Sequence, residues 1–185
     1  PLDPLKDPSF RILEDYTGDS PTSWMQAGSA FGIAPARLGQ IQVNLEGTRP
    51  FNAVTTQPAA RRHELFAGLK RRGDNDPGAL KGFNGSGQTL RTREFTVDAS
   101  KVWCLVRGAG SAYAALNSHH MIGGPLHGAL FKTWKASDQW QWIEINLSNY
   151  KGHRLHLELA PGDDGLFEVA GVVHSDTAPP LPQKR

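Results

Sequence analysis

Between His153 and Leu159 the chain alternates strictly, with Leu155, Leu157 and Leu159 on one side and Arg154, His156 and Glu158 on the other. A period of two with one apolar side marks a strand with one core face and one polar face, as an antiparallel sheet requires. Just before it, Trp142, Ile143, Ile145 and Leu147 supply the aromatic and β-branched residues that suit a pleated, half-buried surface. Ser148, Asn149 and Gly152 supply turn chemistry between the two segments. The same reading predicts strands at Phe10–Asp15, Ile41–Glu46, Thr89–Val97, Lys101–Arg107, Ser111–His119, Phe131–Lys135 and Phe167–His174. Gly108–Gly110 reads as a tight connection, so the strands on either side of it are expected to form a β-hairpin. Leu155, Leu157 and Leu159 are expected in the core, and Arg154 and Glu158 nearer to solvent.

One helix is predicted, over Pro58–Arg72. Pro58 suits a first-turn position, Leu65, Phe66 and Leu69 recur at helical spacing, and Gly73 closes it. The Gly-, Asn- and Asp-rich stretch Asp74–Gly87 reads as a loop. The total is about nine or ten strands and one short helix, with turn signals about every ten residues. This pattern predicts an all-β, two-sheet antiparallel jelly-roll sandwich.

At 185 residues the chain has room for one large domain with a real core, and its 20 Gly and 13 Pro favour short strands over long helices. A formal charge of +2 singles out no polyanion. The basic stretch from Arg61 to Arg93 lacks the interleaved aromatics of a nucleic-acid surface, so no nucleic-acid partner is expected. Cys104, the single cysteine, sits within VWCLV and reads as a small buried hydrophobe. No apolar run approaches the roughly 20 residues of a membrane-spanning helix. The proline-rich ends, residues 1–8 and 177–185, read as linkers around a domain at residues 9–176. The chain therefore reads as a domain of a longer protein.

Candidate chemistry concentrates in Asn117–His127, where His119, His120 and His127 lie close in sequence, with Asn117 at the end of a predicted strand. Three readings stay open: a metal site, imidazoles that structure a loop, or a polar ligand-binding edge. Adjacent His119 and His120 would point to opposite faces of a strand, which weighs against their sharing an ion. In the expected hairpin, Arg107 and these residues converge on the sandwich rim, with His127 folding back towards Arg107. Trp103 and Trp142 read as core, whereas Trp24, Trp134 and Trp140 adjoin turns and are candidate stacking platforms. There is no GxSxG nucleophile motif, and no pair of carboxylates is placed by the sequence for acid–base work.

Several segments carry a family resemblance. FRILEDYTGDSPTSWMQAGSAFGIAP resembles the first strand and loop of galactose-binding-like jelly rolls, where an acidic residue precedes a Trp and a Gly-x-Ala-Phe-Gly stretch follows. Glu14 or Asp15, Trp24 and Gly28–Gly32 match those features. GQTLRTREFTV and WQWIEINLSNYKGHRLHLEL resemble further strands of that family. VWCLVRGAGSAYAALNSHHMIGGPLHG resembles a domain embedded in large planctomycete proteins that also carry cytochrome-c-like segments. The resemblance covers most of residues 9–176. It implies non-catalytic recognition, most often of carbohydrate, and the chain is expected to be such a module of a larger extracytoplasmic protein; the residues read above, Arg107, Asn117, His119, His120, His127, Trp24 and Trp140, are then its ligand-binding candidates. It also implies a possible structural calcium ion, matched loosely by Glu14 or Asp15 with Glu168 or Asp176. The stretch AGVVHSD departs from the family's final strand, which usually carries an acidic residue. The alternative expectation is a docking domain that positions neighbouring redox or hydrolytic domains and binds no small ligand.

Overall fold

The computed structural model describes residues 7–18, 23–28, 30–42, 53–63, 88–117, 128–162 and 166–181. Among these residues the chain forms two antiparallel sheets packed face to face and a small separate hairpin. In sheet I, β13 (Phe167–His174) is flanked by β8 (Lys101–Gly108), and β8 in turn by β11 (Gln141–Asn146). The other edge of β13 is shared by β1 (Arg11–Asp15) and β5 (Ala60–Arg61). Sheet II runs β10 (Phe131–Trp134), β9 (Gly110–Leu116), β12 (Arg154–Pro161), β6 (Thr89–Arg91) and β2 (Met25–Ala27), with β7 (Phe95–Thr96) also paired to β12. The hairpin pairs β3 (Ile41–Gln42) with β4 (Ala53–Val54). From β8 onward the chain passes from one sheet to the other at β8–β9, β10–β11, β11–β12 and β12–β13, the alternation of a jelly roll.

The leucine alternation of β12 has its expected consequence. Leu155, Leu157 and Leu159 are fully buried in the inter-sheet core, opposite Leu116, Ala114 and Ala112 of β9. Val102, Cys104, Val106, Ile145, Val169 and Val172 close that core from sheet I. Complete burial of one such leucine contributes on the order of 1.5–3 kcal/mol. Burial also pushes the Cys104 thiol up to about 12, which disfavours the reactive thiolate.

Several expectations are corrected. β8 and β9 do not pair; they lie in opposite sheets, and Gly108–Ala109–Gly110 is a corner between them. Its backbone groups bond elsewhere: Gly108 N–H donates to Ser137 O (2.7 Å) and Ala109 N–H to Leu166 O (3.0 Å), while Ala109 O accepts from Gly162 N–H (2.9 Å). Gly108 has a φ of 87°, and a Cβ there would overlap the Leu166 carbonyl oxygen. Second, the expected helix does not begin at Pro58. Ala59 bridges Ala36, and Ala60 and Arg61 pair with Val169 and Glu168 of β13. The unpaired edge of β13 beyond β1 offers ladder hydrogen bonds, and these outweigh local helical spacing. Residues 64–72 lie outside the described residues.

Third, Glu158 is buried, as is His156 beside it. Both sit on the outer face of sheet II with Arg91, whose Nη2 is 2.7 Å from His156 Nε2, and His156 Nε2 is 3.0 Å from a Glu158 oxygen. Mutual pairing makes that burial tolerable. The strand expected over Thr89–Val97 is also interrupted. The register against β12 slips by one residue between β6 and β7, and the Thr92 hydroxyl accepts the Leu157 N–H (2.9 Å) at the break.

The outer face of sheet I carries a second apolar cluster, Trp103, Leu105, Ala170 and Val173, with Phe10, Trp140 and Trp142 packed against it. Ala170 is the extra residue of a bulge in β13 that brings Val173 to this face. The chain after β13 runs over the cluster. Trp103 Nε1–H donates to Ser175 O (3.4 Å) and Trp142 Nε1–H to Pro180 O (3.2 Å). Trp103, read as core, is thus buried in this second cluster and not between the sheets, and Trp142 packs half-buried against it.

Candidate functional site

A single row of side chains crosses the outer face of sheet I at right angles to its strands. Arg61 of β5 lies opposite Glu168 of β13, and Glu168 lies opposite Arg107 of β8. Gln141 of β11 pairs with Val106, so Trp140, one residue earlier, comes beside Arg107. Residues that oppose one another across strands share a face, and neighbouring strands lie about 4.8 Å apart, so the row is about 14 Å long.

The side-chain contacts follow this register. One Glu168 oxygen accepts from Arg107 through Nε (2.6 Å), with Arg107 Nη2 2.5 Å away; the other is 2.9 Å from Arg61 Nη2. The Glu168 side chain is only 2% exposed, whereas Arg107 keeps 26% of its side-chain surface in solvent. Such a carboxylate would cost several kcal/mol to bury alone, and two guanidiniums offset that cost. The Arg107 guanidinium carbon lies 5.2 Å from the centre of the Trp140 ring, a cation–π contact. Trp140 Nε1–H donates to Gln57 Oε1 (2.6 Å), and the Gln57 carbonyl accepts from Arg61 Nη2 (3.1 Å). Gln57 thus ties both ends of the row. The loop from sheet II to β11 is held by the Gly108 N–H to Ser137 O bond, which fixes the approach of Trp140.

Of the ligand-binding candidates, the structure brings Arg107 and Trp140 together. Asn117 does not join them. It follows the far end of β9 in sheet II, in a left-handed conformation (φ 47°), with Nδ2 3.4 Å from His153 Nδ1. Seven strand residues separate it from the corner, about 23 Å of chain. Trp24 packs edge-on against Tyr16 (6.0 Å between ring centres), donates to Gly32 O (3.3 Å) and rests on the main core. Trp134 is no exposed platform: it is buried and stacks on Phe167 at 6.2 Å. His119, His120 and His127 lie outside the described residues.

The carboxylates matched to calcium have separate partners. Glu14 accepts from Ser23 Oγ (2.7 Å) and from Arg93 N–H (2.8 Å), and Asp15 accepts from Thr17 N–H (2.8 Å) and Oγ (2.6 Å). Asp176 accepts from Ser100 Oγ (2.6 Å) and N–H (2.7 Å), and these bonds hold its carboxyl below the usual range. Glu168 belongs to the arginines. Among the described residues no three His, Cys, Asp or Glu side chains are grouped to hold a metal ion.

Arg61, Gln57 and the pairing of Glu168 are the parts of the row that the sequence reading missed. A signal was present: a glutamate amid the apolar run FEVAGVV is seldom buried without a cation. Comparison of the chain with protein-family models and with curated proteins finds no match.

Proposed function

We propose that this domain is a non-catalytic carbohydrate-binding module of a larger extracytoplasmic protein, and that the saccharide sits on the row Arg61–Glu168–Arg107–Trp140. The observation that carries the reading is Trp140, a partly exposed indole held between the Arg107 guanidinium and the Gln57 amide. A pyranose ring presents an apolar C–H face and an edge of hydroxyls. An aromatic surface with a few fixed polar groups beside it suits both. Retardation of the native protein in gels cast with soluble polysaccharides tests this. At least one polysaccharide should retard the wild type, and Trp140→Ala should abolish that retardation while remaining folded. Equal migration of the two proteins in every gel would refute the reading.

A docking role has one observation in its favour. Ile41 and Val54, paired across β3 and β4, are both exposed, as are nearby Ile33 and Leu38. Apolar surface of this kind suits a neighbouring domain. On that reading no polysaccharide retards the protein.

A further inference from the structure

We infer that the saccharide accepted by this row is an acidic one, bearing a carboxylate or a sulfate ester on its ring. The inference rests on the reading of the row as a saccharide site. Arg107 spends Nε and Nη2 on Glu168, a carboxylate that it shares with Arg61. Its Nη1 makes no hydrogen bond among the described residues and is not among their buried, unpartnered atoms. A guanidinium cannot lose its charge at any working pH, so this outward nitrogen remains a cationic donor. The fork to Glu168 and the Trp140 ring fix its direction before any ligand arrives, which lowers the ordering cost of binding. A neutral hydroxyl would offer this cationic donor only a dipole. A carboxylate or sulfate adds a full opposite charge to the same hydrogen bond, and so an ion pair. A uronate carries its carboxylate at the ring edge, so it can reach Nη1 while the ring packs against the exposed part of Trp140.

The test is retardation of the native domain at fixed ionic strength in gels of polygalacturonate, a sulfated galactan, a neutral galactomannan and a neutral β-glucan. A polyglutamate gel serves as a control for bulk charge. An acidic polysaccharide should retard the wild type most, and soluble galacturonate or sulfated-galactose oligosaccharides should reverse this; which of the two competes identifies the anion. Arg107→Gln should weaken that binding about tenfold or more, the scale of one charge-assisted hydrogen bond. Because loss of Arg107 leaves Glu168 short of a partner, the competition experiment on wild-type protein decides the matter if the variant does not fold. Retardation by neutral polysaccharides alone would overturn the acidic assignment and leave the saccharide reading standing. Retardation by none would overturn both. Equal retardation by polyglutamate would reduce the effect to bulk charge and overturn the inference.

Discussion

Glu168 is the residue on which the row depends. Both of its oxygens face guanidiniums, and its side chain is almost fully buried. Glu168→Gln keeps the shape and removes the charge, leaving Arg61 and Arg107 facing each other without their shared anion. Breaking a buried pair from one side costs roughly 3–5 kcal/mol. Urea denaturation of the variant should show a stability loss of that size. A loss below about 1 kcal/mol, the range of exposed pairs, would mean that the contact is solvated and weak. At this scale the sequence was partly legible. Arg107 and Trp140 stood out, one as a cation ending an apolar strand and the other as a Trp beside a turn. Their partners did not, because Arg61 lay inside a segment with helical spacing and Gln57 in the turn before it. Nothing local to either residue announces a contact with a strand more than 80 positions away.

At the scale of elements, strands with strong alternation were read well. Phe167–His174 has the predicted bounds, and β12 buries the three leucines expected of it. The connection between β8 and β9 was misread because Gly-Ala-Gly satisfies a tight hairpin and an inter-sheet corner equally well. The difference lies in where the corner's backbone groups find partners, and Ser137, Gly162 and Leu166 are distant in sequence. The expected convergence of Arg107 with Asn117 failed with the hairpin. Gly108→Ala tests the corner. The methyl group would meet the Leu166 carbonyl, and the positive φ adds strain of about 1–3 kcal/mol by itself. The variant should lose at least that much stability in denaturant unfolding. Unchanged stability would show that the corner is loose.

For the molecule as a whole, two sheets bury one core between them, while sheet I carries a second apolar cluster and the polar row on its outer face. The class of fold was legible because a period of two survives any arrangement of the strands. Which face of which sheet would hold the polar residues was not legible, since that depends on strand order. The central claim is that a saccharide meets this protein at Trp140. The five tryptophans give five indole N–H signals in a proton–nitrogen correlation spectrum, and Trp140→Phe identifies which signal belongs to Trp140. Titration with galacturonate or sulfated-galactose oligosaccharides, whichever competes in the gels, should move the Trp140 signal more than neutral ones do and leave those of Trp24 and Trp134 in place. A shift of the Trp24 signal with Trp140 unmoved would contradict the account.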